Sequence, residues 1–171
     1  IEIDDNAYEQ CVENFEDSPW SDRLFCYHTS LNEFVSEIED TYDLIVSNPP
    51  FYSEDYKTNQ HSRDTARFQD ALSFKDLVES ASQLLSENGT FSVIIPFKEE
   101  SHFIALASNV KLFPHTILHV KGHLEAEVKR SLIGLSFRES DIKISELIIE
   151  TKRHHYTQDY INLTKAFYLK M

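Results

Sequence analysis

Short apolar runs along the chain alternate with longer segments in which apolar residues recur every three or four positions. The short runs predict strands at residues 1–3, 24–28, 43–48, 91–96, 116–120, 132–137 and 144–150. The longer segments predict helices at residues 7–15, 31–38, 74–87, 99–109 and 158–167. Because strands and helices alternate, the pattern predicts an α/β fold with a doubly wound, Rossmann-like and mostly parallel sheet.

Two local signals refine this outline. The pair Asn88-Gly89 is typical of the left-handed turn that ends a helix, here the third predicted helix. The runs at 132–137 and 144–150 follow one another closely, which predicts an antiparallel C-terminal hairpin on the sheet. No linker interrupts the 171 residues, so the chain is expected to form one domain over residues 1–171.

The charge of the chain is acidic and unevenly spread. Sixteen Lys and Arg residues stand against 29 Asp and Glu, which gives a net charge of −13. Residues 1–120 carry −15, whereas residues 121–171 carry +2. Phosphate binding needs clustered cations, so this balance argues against general nucleic-acid affinity and is compatible only with a local basic path.

Cysteine, histidine and apolar content narrow the class of protein further. Cys11 and Cys26 lack metal-ligand or redox spacing, which favours free thiols and a cytoplasmic protein. The adjacent His154 and His155 have no partner at metal spacing, so no metal site is predicted. No apolar run approaches the ~20 residues that span a membrane.

The chemistry-bearing segment is the end of the third apolar run, where residues 44–46 lead into Asn48-Pro49-Pro50-Phe51. The run predicts a strand buried on both faces, and the prolines end it because they cannot donate to a sheet ladder. In open α/β sheets, ligands bind beyond the carboxyl ends of the strands. The segment therefore predicts a binding site, with a plain structural turn as the alternative.

Asn48-Pro49-Pro50-Phe51 resembles the (D/N)-P-P-(Y/F/W) signature of S-adenosylmethionine-dependent amino methyltransferases. With residues 1–4 and 163–169, the similarity extends to the bacterial tRNA1(Val) adenine-N6 methyltransferases. The resemblance implies N6-methylation of a tRNA adenine next to the anticodon. Asn48 and the carbonyl of Pro49 would then accept hydrogen bonds from the adenine amine, and Phe51 would stack on the base.

The same resemblance implies residues that bind the cofactor, S-adenosyl-L-methionine. Glu2 matches an acidic residue that accepts hydrogen bonds from the ribose hydroxyls, and Ile3 would lie against the cofactor's adenine. Ser30 occupies the place of an Asp found in many relatives, so a backbone contact there is the alternative. Asn48 is expected to border the cofactor as well.

A glycine-rich loop that this family carries after its first strand is missing from the sequence. The three glycines are Gly89, Gly122 and Gly134, and none forms a G-x-G pair. The resemblance therefore implies that the first strand and its loop precede Ile1. On this interpretation the sequence is the C-terminal portion of a longer protein, N-terminally truncated, and the fragment alone is expected to be inactive.

The segment 52–70 has no apolar periodicity, as in a functional lid or a disordered segment. It follows the Asn-Pro-Pro-Phe turn, so its cations are well placed for RNA phosphates. The predicted substrate-binding residues are Pro50, Tyr52, Lys57, Arg63 and Arg67. A monomer that binds tRNA is expected. Two alternatives remain: methylation of a protein glutamine or an rRNA guanine, and a non-catalytic RNA-binding module with the same fold.

Overall fold

The computed structural model describes residues 1–49 and 72–168 of the chain. The chain divides into two compact units, Ile1–Thr41 and Tyr42–Met171, and each is described by itself. The single domain expected over residues 1–171 stays a prediction. No helix within the described ranges is long and apolar enough to cross a membrane.

The first unit contains two helices, α1 (Asp5–Glu16) and α2 (Leu31–Glu37), with a 3₁₀ turn at Ser21–Arg23 between them. Each helix begins after a polar side chain that accepts a backbone N–H: Asp4 caps α1 and Ser30 caps α2. Both predicted helices are confirmed. The strands predicted at 1–3 and 24–28 are reduced to one parallel bridge, between Glu2 and His28.

The second unit is built on a six-stranded sheet in the order β1-β2-β4-β3-β5-β6. The strands are β1 (Tyr42–Ser47), β2 (Leu85–Pro96), β3 (Phe113–His123), β4 (Val128–Ser136), β5 (Lys143–Lys152) and β6 (His155–Tyr156). The helices are α3 (Phe74–Leu84), α4 (Glu100–Asn109) and α5 (Gln158–Thr164), and a 3₁₀ turn at Phe97–Glu99 precedes α4. The α/β class is therefore confirmed.

The pairing of the strands differs in detail from the predicted pattern. The sheet is mixed: β1 with β2 and β3 with β5 are parallel, and the other three pairings are antiparallel. The hairpin predicted from residues 132–137 and 144–150 is wrong. Both edges of β4 are occupied, by β2 and by β3, so β5 pairs instead with the free edge of β3. Consecutive strands form antiparallel hairpins in β3-β4 and in β5-β6, so a C-terminal antiparallel hairpin is present but is formed by β5 and β6.

The helix stop predicted at Asn88-Gly89 is also wrong. Helix α3 ends at Leu84, and Gly89 lies inside β2. No described glycine has a positive φ. A Cβ on Gly89 would come within 2.9 Å of the carbonyl oxygen of Tyr42 on β1. The glycine is therefore needed for the close approach of the two strands and not for a left-handed turn.

The core of the second unit lies between one face of the sheet and the helices α3 and α4. Alternate residues of β2 and β4 point into it, among them Phe91 and Leu135, which face each other in register. Helix α4 contributes Phe103, whose ring lies 5.2 Å from that of Phe74 on α3. All three of Phe91, Leu135 and Phe103 are completely buried, so this layer fixes the sheet against the helices.

Strand β1 is not the doubly buried strand that its composition predicts. Leu44 and Val46 are 61% and 72% exposed. Within the described ranges β1 lies at the edge of the sheet and pairs with β2. Leu44 and Val46 are two positions apart, so they lie on the same face of the strand, and that face is open to solvent. A continuous apolar run is typical of a strand covered on both faces, so the sequence does not reveal this open face.

Candidate functional site

Strand β1 carries the Asn-Pro pair to the carboxyl edge of the sheet. Its last residue, Ser47, pairs with Val93 of β2, and the strand ends there as the prolines predict. Asn48 is exposed, whereas Pro49 is buried. The strand end thus has an exposed asparagine, accessible to a ligand, next to a buried proline.

A cavity of about 460 Å³ begins beside Asn48 and runs across the sheet. Ser92 and Thr116 contribute polar groups to its wall, and Gly134 lies between their strands. A Cβ on Gly134 would meet the hydroxyl of Thr116 at 2.6 Å, so the wall has no room for a side chain there. Sequence reasoning does not single out these residues, because each is an isolated polar or small residue within a strand.

Glu2 is held in place by the backbone around it. Its N–H donates to the carbonyl of Tyr27 at 3.0 Å, and its own carbonyl accepts from Thr29 at 3.1 Å. Its carboxylate Oε1 accepts the N–H groups of Ile3 and Asp4 at 2.8 and 3.0 Å. Both bonds use one oxygen, so Oε2 is left for another donor. The half-buried carboxylate thus has a fixed orientation and an available acceptor.

Ser30 serves as the cap of α2 in this structure. Its hydroxyl accepts the Glu33 N–H at 3.3 Å, and its backbone N–H donates to Oε2 of Glu33 at 3.1 Å, which completes a capping box. The hydroxyl also donates to Oε2 of Glu33 at 2.8 Å. The Ser30 hydroxyl, followed by its backbone N–H and the Thr29 hydroxyl, lowers the pKa of the Glu33 carboxyl below its usual value. The side chain predicted to face a cofactor is therefore engaged with its own helix.

Three polar side chains that the sequence does not single out meet in the second unit, near the carboxyl end of β2. Oε2 of Glu100 accepts a hydrogen bond of 2.5 Å from the hydroxyl of Ser131 and lies 2.8 Å from Nε2 of His119. Ser131 is fully buried. His119 and Ser131 face each other in register on β3 and β4. The Phe97 ring packs edge-on against His119, with centroids 5.0 Å apart.

The structure describes the predicted site residues only in part. Glu2, Ile3 and Ser30 belong to the first unit, and Asn48 and Pro49 to the second. Ile3 is exposed and makes the backbone contact to Glu2 given above. The remaining predicted residues lie outside the described ranges and stay predictions: Pro50, Phe51, Tyr52, Lys57, Arg63 and Arg67.

The fold and the strand that ends on Asn-Pro define a class of protein. A crystal structure from Agrobacterium tumefaciens, described as a predicted O-methyltransferase, superimposes with a TM-score of 0.64. The match covers 96% of this chain and 74% of that chain at 16% identity, and so shows the fold alone. The family model of the Eco57I restriction-modification methylases matches residues 1–112. The chain is thus an enzyme of the methyltransferase class with a Rossmann-like fold.

Two curated relatives narrow this class to a family. The chain is 63% identical to a tRNA1(Val) (adenine(37)-N6)-methyltransferase of Flavobacterium johnsoniae, with 100% of this chain and 73% of the relative covered. It is 59% identical to the protein of the same name from Flavobacterium psychrophilum, at the same coverage. The chain belongs to the family of tRNA1(Val) (adenine(37)-N6)-methyltransferases, and the family predicted from the sequence is confirmed.

Proposed function

We propose that this protein transfers a methyl group from S-adenosyl-L-methionine to N6 of an adenine in tRNA1(Val), at position 37 next to the anticodon. One observation carries the proposal: identity of 63% over the whole chain to a relative named for this reaction. A tRNA substrate is consistent with a cytoplasmic enzyme. The acidic charge of −13 does not oppose the proposal, since recognition through a few local cations is sufficient.

The chemistry assigned to Asn48 and Pro49 follows from the weak nucleophilicity of an aromatic amine. The lone pair of the adenine amino nitrogen is delocalised into the ring. The Asn48 side-chain oxygen and the Pro49 carbonyl are two acceptors that can hold both N–H hydrogens and favour a pyramidal nitrogen. Positioning of this kind is the main catalytic device, because in-line methyl transfer needs no obligatory acid or base.

The exposed amide of Asn48 and the buried ring of Pro49 support this role. Proline retains its carbonyl acceptor while it stiffens the turn, so the two acceptors are preorganised. Phe51 is assigned to stack on the extruded adenine, with Pro50 and Tyr52 beside it. Lys57, Arg63 and Arg67 are assigned to RNA phosphates.

Glu2 is assigned to the ribose hydroxyls of the cofactor. S-adenosyl-L-methionine, when bound, supplies the methyl group. The carboxylate of Glu2 suits a cis-diol, since it is an acceptor and its Oε2 is not used by the neighbouring backbone N–H groups. Ile3, which is 61% exposed, offers an apolar surface to the cofactor's adenine. Ser30 is assigned to the cofactor in addition to its role as the N-cap of α2.

Transfer of labelled methyl groups tests the proposed function. Full-length protein is incubated with labelled S-adenosyl-L-methionine and, in separate reactions, a tRNA1(Val) transcript, rRNA and a protein extract. We expect label in the transcript, recovered as N6-methyladenosine after nuclease digestion. A transcript with guanine at position 37 is the matched control and should stay unlabelled. Label confined to rRNA or to protein contradicts the proposal.

Glu2→Gln should raise KM for S-adenosyl-L-methionine by about 10-fold, because Gln keeps an acceptor oxygen but loses the charge, and a hydrogen bond to a charged acceptor contributes about 1–1.5 kcal/mol more than one to a neutral acceptor. KM for tRNA should not change. Steady-state kinetics with each substrate varied in turn measure both constants. The matched control is Glu9→Gln, an exposed residue on α1. Equal KM values for the cofactor in Glu2→Gln and wild type remove Glu2 from the binding site.

A further inference from the structure

Phe97 is an exposed aromatic residue at the edge of the sheet where Asn48 lies. It follows directly after β2, and its side chain is 41% exposed. Strand β2 runs parallel to β1 and pairs with it. The carboxyl ends of both strands therefore open at the same edge, where ligands bind in this class of sheet.

The distance between the backbones of Asn48 and Phe97 suits a base further along the RNA strand better than the target base. Ser47 pairs with Val93, so Asn48 is level with Ile94 and three residues short of Phe97. Strands rise about 3.3 Å per residue and lie about 4.8 Å apart, which places the two backbones about 11 Å from each other. Bases in a stacked strand follow at about 3.4 Å, so about three nucleotides span this distance.

The ring of Phe97 is held in position from behind. Its edge-on contact with His119 has an interplanar angle of 83°. His119 is in turn held by the carboxylate of Glu100, which also accepts the hydroxyl of the fully buried Ser131. A ring fixed in this way loses little conformational entropy when a second ring stacks on it.

Cations lie beside this ring at the same edge. Lys98 follows Phe97 in the chain. Its side chain is 56% exposed, and its ammonium lies 3.9 Å from the carboxylate of Glu99. Arg130 on β4 is the register partner of Pro96, the last residue of β2. An aromatic face next to cations is the combination that binds single-stranded nucleic acid, since the ring stacks on a base and the cations meet phosphates.

We propose that Phe97 is a second stacking residue, which binds a base about three nucleotides along the RNA strand from the target adenine. This inference rests on the proposed function, because it takes an RNA substrate for granted. Phe97 contributes to RNA affinity and to the placing of the strand across the carboxyl edge. It does not touch the reacting amine, so it is a binding residue and not a catalytic residue.

Two substitutions separate stacking from a purely structural contact. Phe97→Leu keeps an apolar side chain against His119 and removes the π face, whereas Phe97→Tyr keeps the ring. Tyr156→Ala is the matched control: Tyr156 is 40% exposed, packs against the ring of Tyr160, and lies on β6 at the opposite edge of the sheet. The Kd of each protein for tRNA1(Val) is measured by fluorescence anisotropy at one salt concentration.

We expect Phe97→Leu to raise the Kd for tRNA by about 5- to 150-fold, which corresponds to the free energy lost when a base-stacking ring is removed. Phe97→Tyr should stay within about 2-fold of wild type, and Tyr156→Ala should not change the Kd. KM for S-adenosyl-L-methionine and the melting temperature should be the same in Phe97→Leu and wild type.

An unchanged Kd in Phe97→Leu overturns the inference, and so does an equal loss of affinity in Phe97→Tyr. These outcomes leave the proposed function standing if wild type still methylates the transcript. A wild-type protein that binds tRNA and transfers no methyl group to it overturns the proposed function instead. The two failures are therefore distinguishable in one set of measurements.

Discussion

Asn48→Ala should lower kcat for methyl transfer to tRNA by at least about 100-fold, the scale of loss when one preorganised polar group is removed from a reacting centre. The variant loses the side-chain oxygen assigned to one hydrogen of the adenine amine. Asn48 is exposed and lies beyond the last residue of β1, so the fold should not depend on its side chain. Single-turnover transfer of labelled methyl groups measures the rate.

Two further variants make this result specific. Asn48→Asp keeps an acceptor oxygen and should retain more activity than Asn48→Ala, since the related signature allows Asp at this place. Asn88→Ala is the matched control, because Asn88 is an exposed asparagine elsewhere in the same sheet. Activity of Asn48→Ala within about 3-fold of wild type, with Asn88→Ala unchanged, would refute the assigned role.

Phe103→Ala should lower the free energy of unfolding by about 3–5 kcal/mol, the usual cost of truncating a buried aromatic side chain. Phe103 is completely buried on α4, and its ring lies 5.2 Å from Phe74 and 6.3 Å from Phe91. Its removal leaves a cavity between α3, α4 and the sheet. Urea unfolding followed by circular dichroism gives the difference.

Phe167→Ala is the control for this substitution, because the Phe167 side chain is 85% exposed. Its free energy of unfolding should stay within about 0.5 kcal/mol of wild type, as for most surface substitutions. A loss below about 1 kcal/mol in Phe103→Ala would mean that the layer between α3 and α4 collapses around the missing ring.

The helices could be predicted from the sequence because their signals are local. Asp4, Ser30 and Ser73 each accept a backbone N–H three residues further on, and the helices begin after these caps. The strand order could not be predicted. Residues 132–137 and 144–150 are close in sequence, yet pairing is decided by which edges remain free, and that is a property of the whole sheet.

The candidate site also has residues that could be predicted from the sequence and residues that could not. Asn48 and Pro49 could be found because the signature is four consecutive residues and the prolines fix the end of β1. The contact between Glu100, His119 and Ser131 could not be found, because its members come from a helix and two strands, 19 and 31 positions apart. The exposure of Leu44 and Val46 likewise depends on what covers that face of β1, which the apolar run does not show.

The position of β4 between β2 and β3 has a consequence for the order of folding. Strands β2 and β3 both precede β4 in the chain and do not pair with each other, and each pairs with β4. Phe91 meets its partner Leu135 only across 44 residues of sequence. Such non-local contacts close slowly, because chain entropy is lost before the contact stabilises. A nascent chain that ends before β4 has the β1-β2 pair and the single strand β3, and no continuous sheet.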